Sequence, residues 1–208
     1  MKKLGLFTLV LFSSITINAQ TVNDADATTL SKIKQANEKH TSITSTFNQT
    51  KHMPILGEKI LSKGSFYYSK PEQLAMVYED PKGDLLLINN DKMVMVTSGK
   101  RREASTKSNA KTRGMKNILA SFIQGDVMLV EADKITCKET PKHIVVTAEI
   151  GKSNKSKIDK VVASYDKSDY TIAVIRTEDP DGTYTEYELV SKQLNTPVDQ
   201  KVFNTSKK

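Results

Sequence analysis

The sequence predicts a mainly β fold, in which a large antiparallel sheet curls and two helices cover one of its sides. About ten segments alternate apolar and polar residues with a period of two, and short turns join most of them. Only two segments place apolar residues at helical spacing. With 208 residues, 38 % of them apolar and 26 % charged, the chain is neither a membrane bundle nor a disordered polyelectrolyte.

The first residues are typical of a cleavable secretory signal. Two lysines precede an apolar stretch from Leu4 to Ile17, and Ala19 provides the small residue at the cleavage site. We expect residues 1–19 to be removed, so that residues 20–208 form a single domain in the periplasm. A membrane anchor is the alternative, but the stretch is short and is interrupted by hydroxyl residues.

The first helix is predicted over Asp24 to His40, and three strands follow it. Pro71 ends the second strand, because proline has no amide hydrogen to donate to a neighbouring strand. The residues that share one face of these strands are Ile43, Ser45, Phe47 and Gln49; then Ile60, Ser62, Gly64, Phe66 and Tyr68; then Leu74, Met76 and Tyr78.

The middle of the chain is predicted to continue as a meander of short strands, followed by a polar, basic segment and a helix. Turns are predicted at 80–83 and 89–91, around strands at Leu85 to Ile88 and Met93 to Val96. Ser98 to Arg113 is polar and basic and is predicted to be a flexible loop, followed by a second helix from Met115 to Ile123. The later strands are predicted at Lys134–Lys138, His143–Ile150, Val161–Tyr165, Tyr170–Glu178 and Thr183–Lys192.

The positive charge of the chain is concentrated in the predicted loop. The full sequence has a net charge of +7, and without the two signal lysines it has +5, which equals the charge of residues 98–114 alone. No aromatic residue lies among these cations, so the segment does not favour nucleic acid as a partner. A solvated loop and a docking site for an acidic partner or an anionic membrane surface both remain open. The candidate docking residues are Lys100, Arg101, Arg102, Lys111 and Arg113.

The sequence contains no motif that favours an enzyme. Nucleophile-elbow, zinc-protease, C-x-x-C and phosphate-loop motifs are all absent from it. The three histidines are scattered, and Asp179 to Gly182 lacks the later ligands of a calcium loop, so a hairpin turn explains it better. We therefore expect no metal and no cofactor. Cys137, the single cysteine, is predicted to be a buried, inert thiol.

Methionines are frequent among the predicted strand and helix faces. Their flexible thioether chains suit a surface that must fit a flexible apolar ligand, although ordinary core packing is an alternative for each one. The methionines concerned are Met76, Met93, Met95, Met115 and Met128.

The order of several short motifs resembles that of the LolA family, the periplasmic carriers of outer-membrane lipoproteins. The motifs, which extend over nearly the whole mature chain, are Phe47–Gln49, Ser62–Pro71, Leu74–Tyr78 with Asp80 and Pro81, Asn89–Lys92, Ile118 and Leu119 before Gly125, and Asp181–Asn195 with Val198 and Phe203. The resemblance implies an unclosed antiparallel barrel of about ten or eleven strands, whose concave apolar face is capped by helices and binds acyl chains.

The resemblance also implies the positions of the binding residues. Leu74, Met76 and Tyr78 would line the concave face, and strand alternation adds Phe47, Phe66 and Tyr68. The residues of the helical lid would be Met115, Ile118, Leu119 and Phe122. Lys70 stands where the family has an arginine that ties the closed lid to backbone carbonyls. Lysine has the charge without the planar fork of donors, so it predicts a weaker latch, or only an exposed cation at a strand end.

The function implied is that of a non-enzymatic, monomeric chaperone that moves lipoproteins from the inner to the outer membrane. Its partners would be the lipoprotein acyl chains, an inner-membrane lipoprotein-releasing transporter that loads them, and an unknown outer-membrane acceptor. A carrier of another envelope lipid or of a lipid-linked pigment is an alternative. A lipid-sensing regulatory or interaction module with the same fold is another.

Overall fold

A computed structural model describes residues 22–150 and 158–206 of the chain. The predicted signal peptide and its cleavage site lie outside these residues. Within them, eleven strands form one antiparallel sheet in the order β6-β5-β4-β3-β2-β1-β11-β10-β9-β8-β7. The strands are β1 Ser42–Met53, β2 Glu58–Ser69, β3 Gln73–Asp80, β4 Leu85–Asn89, β5 Lys92–Thr97, β6 Lys100–Ser105, β7 Ala132–Glu139, β8 His143–Ile150, β9 Lys160–Asp166, β10 Ile172–Glu178 and β11 Tyr184–Leu194.

The sheet confirms the predicted unclosed barrel. Strands β6 and β7 are its two edges and do not pair with each other. The meander from β1 to β6 and the second run from β7 to β11 are joined where β1 pairs with β11. Neighbouring strands therefore follow each other in sequence except at this single junction.

Two α-helices, α1 Asp24–Glu38 and α2 Ala110–Ile123, complete the described fold with three short 3-10 helices at Pro54–Leu56, Val127–Leu129 and Gln200–Phe203. An asparagine side chain caps the start of each α-helix. Asn23 accepts a hydrogen bond from the amide of Asp26 at 2.9 Å, and Asn109 accepts one from Thr112 at 3.0 Å. Such caps satisfy amides that have no partner inside the helix.

The prediction of a flexible loop from Ser98 to Arg113 was wrong. Residues 100–105 form the edge strand β6, which pairs with β5 from Thr97 and Lys100 to Lys92 and Ser105. Glu103 makes salt bridges with Lys92, at 2.7 Å, and with Arg101. Charged residues are common on edge strands, where they oppose further pairing, so a charged composition does not exclude a strand. Helix α2 also begins five residues before the predicted start.

The main hydrophobic core lies between the concave face of the sheet and the two helices. The helices contribute Leu30 and Ile33 from α1 and Ile118, Phe122 and Ile123 from α2, all of them buried. Most of the sheet residues that are buried most completely against them lie on β7 to β10, beside Ile43 and Phe47 of β1. They include Ile135, Val146, Ala148, Val161, Ala163, Tyr165 and Ile172.

A second, smaller cluster lies on the convex face of the sheet. Ala75, Leu87 and Val94, from β3, β4 and β5, pack there against Phe203 of the C-terminal segment. The side-chain amide of Asn89 donates a hydrogen bond to the carbonyl of Phe203 at 3.1 Å. The C-terminal segment therefore covers the back of the strands that form the first half of the sheet.

The close contact between β1 and β2 depends on a glycine. Gly64 lies opposite Phe47 in the strand register. A Cβ atom at residue 64 would lie 2.9 Å from two ring carbons of Phe47 and 2.2 Å from the carbonyl oxygen of Val77. Because only glycine leaves this space open, the ring of Phe47 lies across β2 on the concave face.

Candidate functional site

A cavity of about 380 Å³ lies between the sheet and the first half of helix α2. One part of its lining is apolar and comes from β3, β4, β5 and α2. The other part is polar and comes from β1, β10, β11 and the turn between β10 and β11. The lining residues are Lys51, Met76, Leu86, Met95, Lys111, Met115, Leu119, Ile158, Thr177, Asp179, Thr183, Thr185 and Tyr187.

The apolar wall is built by strand alternation and helical spacing. Met76, Leu86 and Met95 lie side by side on β3, β4 and β5, because Met76 pairs with Leu86 and Leu86 pairs with Met95. Met115 and Leu119 are four residues apart on α2, so they lie on the same helical face. Three of the five methionines that the sequence marked as suited to an apolar ligand are therefore together.

The polar part of the lining includes two lysines from opposite sides. Lys51 belongs to β1, and Lys111 belongs to the first turn of α2. Thr177 and Thr185 are cross-strand neighbours on β10 and β11. Lys111 is exposed and the other three side chains are half-buried, so we infer that the cavity opens on this side. We call this lysine and threonine part of the lining the mouth of the cavity. An apolar interior with a polar mouth can accept the chains of an amphipathic ligand while its polar end stays near water.

A tyrosine pair lies beside the apolar wall. The hydroxyl of Tyr78 donates a hydrogen bond to Oε1 of Gln49 at 2.5 Å and lies 3.4 Å from the hydroxyl of Tyr187. The ring of Phe47 makes edge contacts with both tyrosines, with ring centres 5.1 and 5.9 Å apart. Burial raises the pKa of both tyrosines above the ordinary value, so both hydroxyls remain neutral donors.

The other end of helix α2 is packed closely into the core. Phe122 is fully buried, and its carbonyl accepts a hydrogen bond from the hydroxyl of Tyr165 at 2.6 Å. Burial raises the pKa of Tyr165 well above its ordinary value. Ile33 of α1 lies close to Gly125, which follows α2. We call this region, around Phe122, Tyr165 and Ile33, the packed end, and the region around the cavity the open end.

The ten residues that were predicted to bind ligand have three kinds of surroundings: the cavity, a small void and the closed core. Met76, Met115 and Leu119 line the cavity, and Tyr78 lies next to it through Tyr187. Tyr68 and Leu74, together with Leu119, border a second void of only about 10 Å³. The remaining four, which are buried in the core, are Phe47, Phe66, Ile118 and Phe122. The role of all ten in ligand binding stays a prediction.

Lys70 contacts the helical lid, as the resemblance implied that an arginine would. Its ammonium group donates hydrogen bonds to the carbonyls of Asn37, at 3.0 Å, and Glu38, at 2.8 Å, in the last turn of α1. A cation is favourable there because the last carbonyls of a helix have no partner inside the helix. The interpretation of Lys70 as only an exposed cation is therefore wrong.

A second lysine contact at the lid was missed by the sequence analysis. Lys116 of α2 is mostly buried and forms a salt bridge with Glu72 at 2.6 Å. It also donates to the carbonyl of Asn90 at 3.2 Å. Nothing in the sequence distinguishes this lysine from the others in the basic segment, because its partners lie on two distant turns. Together, Lys70 and Lys116 attach both helices to turns of the first half of the sheet.

The five predicted docking residues differ in their contacts. Arg113 donates to the carbonyls of Thr106 and Lys107, at 3.3 and 3.0 Å, and Arg101 contacts Glu103 and the carbonyl of Thr205. Lys111 lines the cavity, as described above. Lys100 and Arg102 lie on the edge strand and border a shallow pocket of about 280 Å³. The docking role of these residues stays a prediction.

Within residues 22–150 and 158–206, no group of three or more His, Cys, Asp or Glu side chains could bind a metal ion. In the same residues, no helix is both long and apolar enough to cross a membrane. Cys137 is partly buried rather than fully buried, and burial raises its pKa to about 12. Its thiolate form is therefore scarce near neutral pH.

The chain was compared with known families and structures. The family model described as "Outer membrane lipoprotein carrier protein LolA" matches residues 38–206. A search of curated proteins gives no match.

Solved structures with the same fold are remote in sequence. A DUF1329 family protein from Desulfovibrio piger is 13 % identical, with a TM-score of 0.52 over 88 % of this chain and 97 % of that one. A conserved protein from Thermus thermophilus is 8 % identical, with a TM-score of 0.51 over 87 % and 94 %. MucB is 8 % identical, with a TM-score of 0.50, and the match covers 88 % of this chain and 64 % of MucB. These likenesses concern the fold.

Proposed function

The chain belongs to the outer membrane lipoprotein carrier protein LolA family, and from this premise we propose that it is a non-enzymatic periplasmic chaperone for lipoproteins. It binds their acyl chains in the cavity and carries them from the inner to the outer membrane. The observation that supports this proposal most directly is the cavity itself, whose apolar wall consists of Met76, Leu86, Met95, Met115 and Leu119.

The cavity has the properties that an acyl chain requires. Each CH₂ group removed from water gains about 0.8 kcal/mol, so acylated lipoproteins need an apolar site to cross an aqueous compartment. Sites for small ligands commonly have volumes of about 300–1,000 Å³, and this one is near the lower limit. The three methionine side chains can change rotamer with little strain, so the cavity can enlarge for several chains.

Release also has a physical basis. A carrier that binds its cargo too strongly cannot deliver it, and contacts between lid and sheet that form only when the cavity is empty offset part of the binding energy. Lys70 and Lys116 join the helices to turns of the sheet, and we expect these contacts to break when the lid opens for cargo. The lid can open by exchanging these hydrogen bonds for water, while the apolar contacts at the packed end persist.

Organic extraction of the protein, purified from the soluble envelope fraction, tests the cargo. We expect acylated peptides to be identified by mass spectrometry. Met115→Glu should abolish their recovery, because a carboxylate in the apolar wall would have to be desolvated when acyl chains fill the cavity.

Met128→Glu is the matched control, because Met128 is exposed in the short helix Val127–Leu129. It should retain the cargo. If another lipid class is recovered from the wild-type protein, the cargo is that lipid and the proposal of lipoprotein cargo is wrong. Absence of any lipid, or equal recovery from both variants, would contradict the carrier function.

We propose that an inner-membrane lipoprotein-releasing transporter loads this carrier and that an outer-membrane acceptor receives the cargo. The exposed cations of β6 are candidates for contact with one of them. Lys100→Gln with Arg102→Gln should slow cargo transfer at low ionic strength and leave lipid recovery unchanged, because exposed charges act over about 10 Å at 0.1 M salt. Equal transfer by the variant and the wild type at low salt would exclude these two residues from docking.

A further inference from the structure

The hairpin between β1 and β2 projects beyond the neighbouring strand β3. Pairing between β1 and β2 continues outward to Met53 and Glu58, whereas pairing between β2 and β3 ends at Lys63 and Asp80. Residues 58–62 of β2 therefore have no partner on the β3 side. At about 3.4 Å per residue, this is a projection of roughly 17 Å. We call residues 54–61 the hairpin tip.

The hairpin tip exposes large apolar side chains to solvent. Ile55 is 77 % exposed, Leu56 65 %, Leu61 72 % and Ile60 45 %. These four account for half of the eight exposed large apolar residues in the described part of the chain. Single exposed apolar residues are ordinary, but a concentration of them on one projecting element marks a surface that another apolar phase covers.

Basic residues accompany these apolar side chains along the two strands of the hairpin. Lys51, Lys59 and Lys63 lie within or beside the tip, and Glu58 is the single acidic residue between positions 51 and 63. Apolar side chains that project from a border of lysines are the arrangement that favours an anionic bilayer surface, since the chains enter the acyl region while the ammonium groups contact phosphates.

The tip lies directly beside the mouth of the cavity. Lys51, which lines the mouth, is the cross-strand partner of Ile60. On the other side, Pro54 at the start of the tip lies close to Gly182 in the turn between β10 and β11. That turn contributes Asp179 and Thr183 to the lining. A surface that covers the tip therefore lies next to the entrance of the cavity.

We propose that the hairpin tip inserts Ile55, Leu56 and Leu61 into the surface of an anionic bilayer and positions the mouth of the cavity against it. The purpose of this contact rests on the proposed carrier function, since acyl chains could then pass between membrane and cavity with little exposure to water. The contact itself does not require cargo.

Vesicle sedimentation of the mature protein tests the proposal. Vesicles of phosphatidylethanolamine with phosphatidylglycerol should bind the protein, and vesicles of phosphatidylcholine should bind it more weakly. The double variant Ile55→Asp with Leu56→Asp should bind the anionic vesicles at least about tenfold more weakly, because two carboxylates replace the inserted side chains.

The matched control is Met128→Asp with Leu129→Asp. These residues are 46 % and 69 % exposed and also lie next to each other in a short 3-10 helix. The control should bind vesicles like the wild type. Thermal unfolding should be the same for both double variants, because all four side chains lie largely outside the core.

Equal vesicle binding by the tip variant and the wild type would overturn the proposal. Unchanged vesicle binding combined with lost cargo transfer would assign the tip to a protein partner instead, and would overturn it as well. Lipid extraction separates this proposal from the carrier function. A tip variant that keeps its lipid but loses vesicle binding supports insertion, whereas a lipid-free wild-type protein that still binds vesicles contradicts only the carrier function.

Discussion

The two ends of helix α2 contact the same sheet in different ways. At the packed end, Phe122 is fully buried and its carbonyl is bound by the hydroxyl of Tyr165. At the open end, two turns earlier, Met115 faces a cavity whose opposite side contains threonines and a lysine. The comparison teaches that one helix can be part of the stable core at its C-terminal end and part of the wall of a cavity at its N-terminal end.

The side chains at each end are suited to these tasks. The packed end uses aromatic and β-branched residues, which have few rotamers and fill space in one way. The open end uses methionines, which have three rotatable bonds and fill irregular space in several ways. Motion of the lid should therefore be largest near Met115 and smallest near Phe122.

The largest expected effect is the difference in the free energy of unfolding between the variants Phe122→Ala and Leu119→Ala. Removal of the Phe122 ring leaves a closed cavity in the core and should lower the free energy of unfolding by about 3–5 kcal/mol. Leu119 already borders the cavity, so its truncation should cost about 2 kcal/mol or less. Urea unfolding of both variants measures the difference, and equal losses would remove the distinction between the two ends.

Tyr165→Phe and Tyr187→Phe test the same difference between the packed and open ends, because each removes a single hydroxyl group. The Tyr165 hydroxyl is a buried donor to a backbone carbonyl, so its removal should cost about 1–3 kcal/mol. Tyr187 lines the cavity, and its hydroxyl has a long contact with the hydroxyl of Tyr78, at 3.4 Å. Its removal should cost less than about 1 kcal/mol in the same unfolding assay. A larger loss for Tyr187→Phe would contradict this assignment.

The sequence predicted ten of the eleven strands and the shared face of each of the first three. Alternation identified the concave residues of β1 to β3 correctly, because a period of two is a direct consequence of strand geometry. The predicted turn at 89–91 was also confirmed, and Asn90 has the positive φ of 52° that such a turn requires. Local sequence patterns were therefore sufficient to predict features that the geometry of a single strand or turn determines.

The division between packed and open ends could not be predicted from the same patterns. Ile118 and Leu119 are neighbours on one apolar helix face, yet only Leu119 borders the cavity. The difference depends on which strands lie opposite, and this is set by pairings between residues far apart in sequence. Tyr187 and Thr185 of β11 were missed for the same reason, because they lie beside β1 through pairings between residues far apart in sequence.

Lys70→Met tests whether the hydrogen bonds from Lys70 stabilise the last turn of α1. Loss of two hydrogen bonds from a charged donor should cost about 1–2 kcal/mol and should increase hydrogen exchange in the last turn of α1. Lys70→Arg should restore protection, since its planar group also reaches carbonyls. Lys63→Met, at an exposed residue of β2, the strand that precedes Lys70, is the control. Equal exchange in all three variants would mean that Lys70 does not stabilise the helix.

The smallest expected effect is a pH dependence at His40, which is buried beside the C-terminus of α1. Burial first, and then Lys39, lower its pKa below the ordinary value, whereas Asp169 acts in the opposite direction and Lys70 lowers it slightly. The unfolded chain therefore binds a proton more readily than the folded protein. Stability should be complete above about pH 6.5 and should decrease as the pH falls below it.

Unfolding experiments across this pH range, with His40→Gln for comparison, measure the contribution. The variant should have a shallower decrease in stability than the wild type between about pH 6.5 and pH 5. Because His40 lies near Asn195, at 3.4 Å, glutamine can keep a polar contact there. An identical decrease in both proteins would assign the pH dependence to other groups.

The C-terminal segment on the convex face has a consequence for how the protein can exchange a ligand. Strands β3, β4 and β5 contribute Met76, Leu86 and Met95 to the cavity on one side, and Ala75, Leu87 and Val94 to the cluster with Phe203 on the other. Filling or emptying the cavity changes the packing on one side only. Phe203 and its neighbours contact the outer side without reaching the cavity, so we expect them to hold the curvature of these strands whether or not the inner side is occupied.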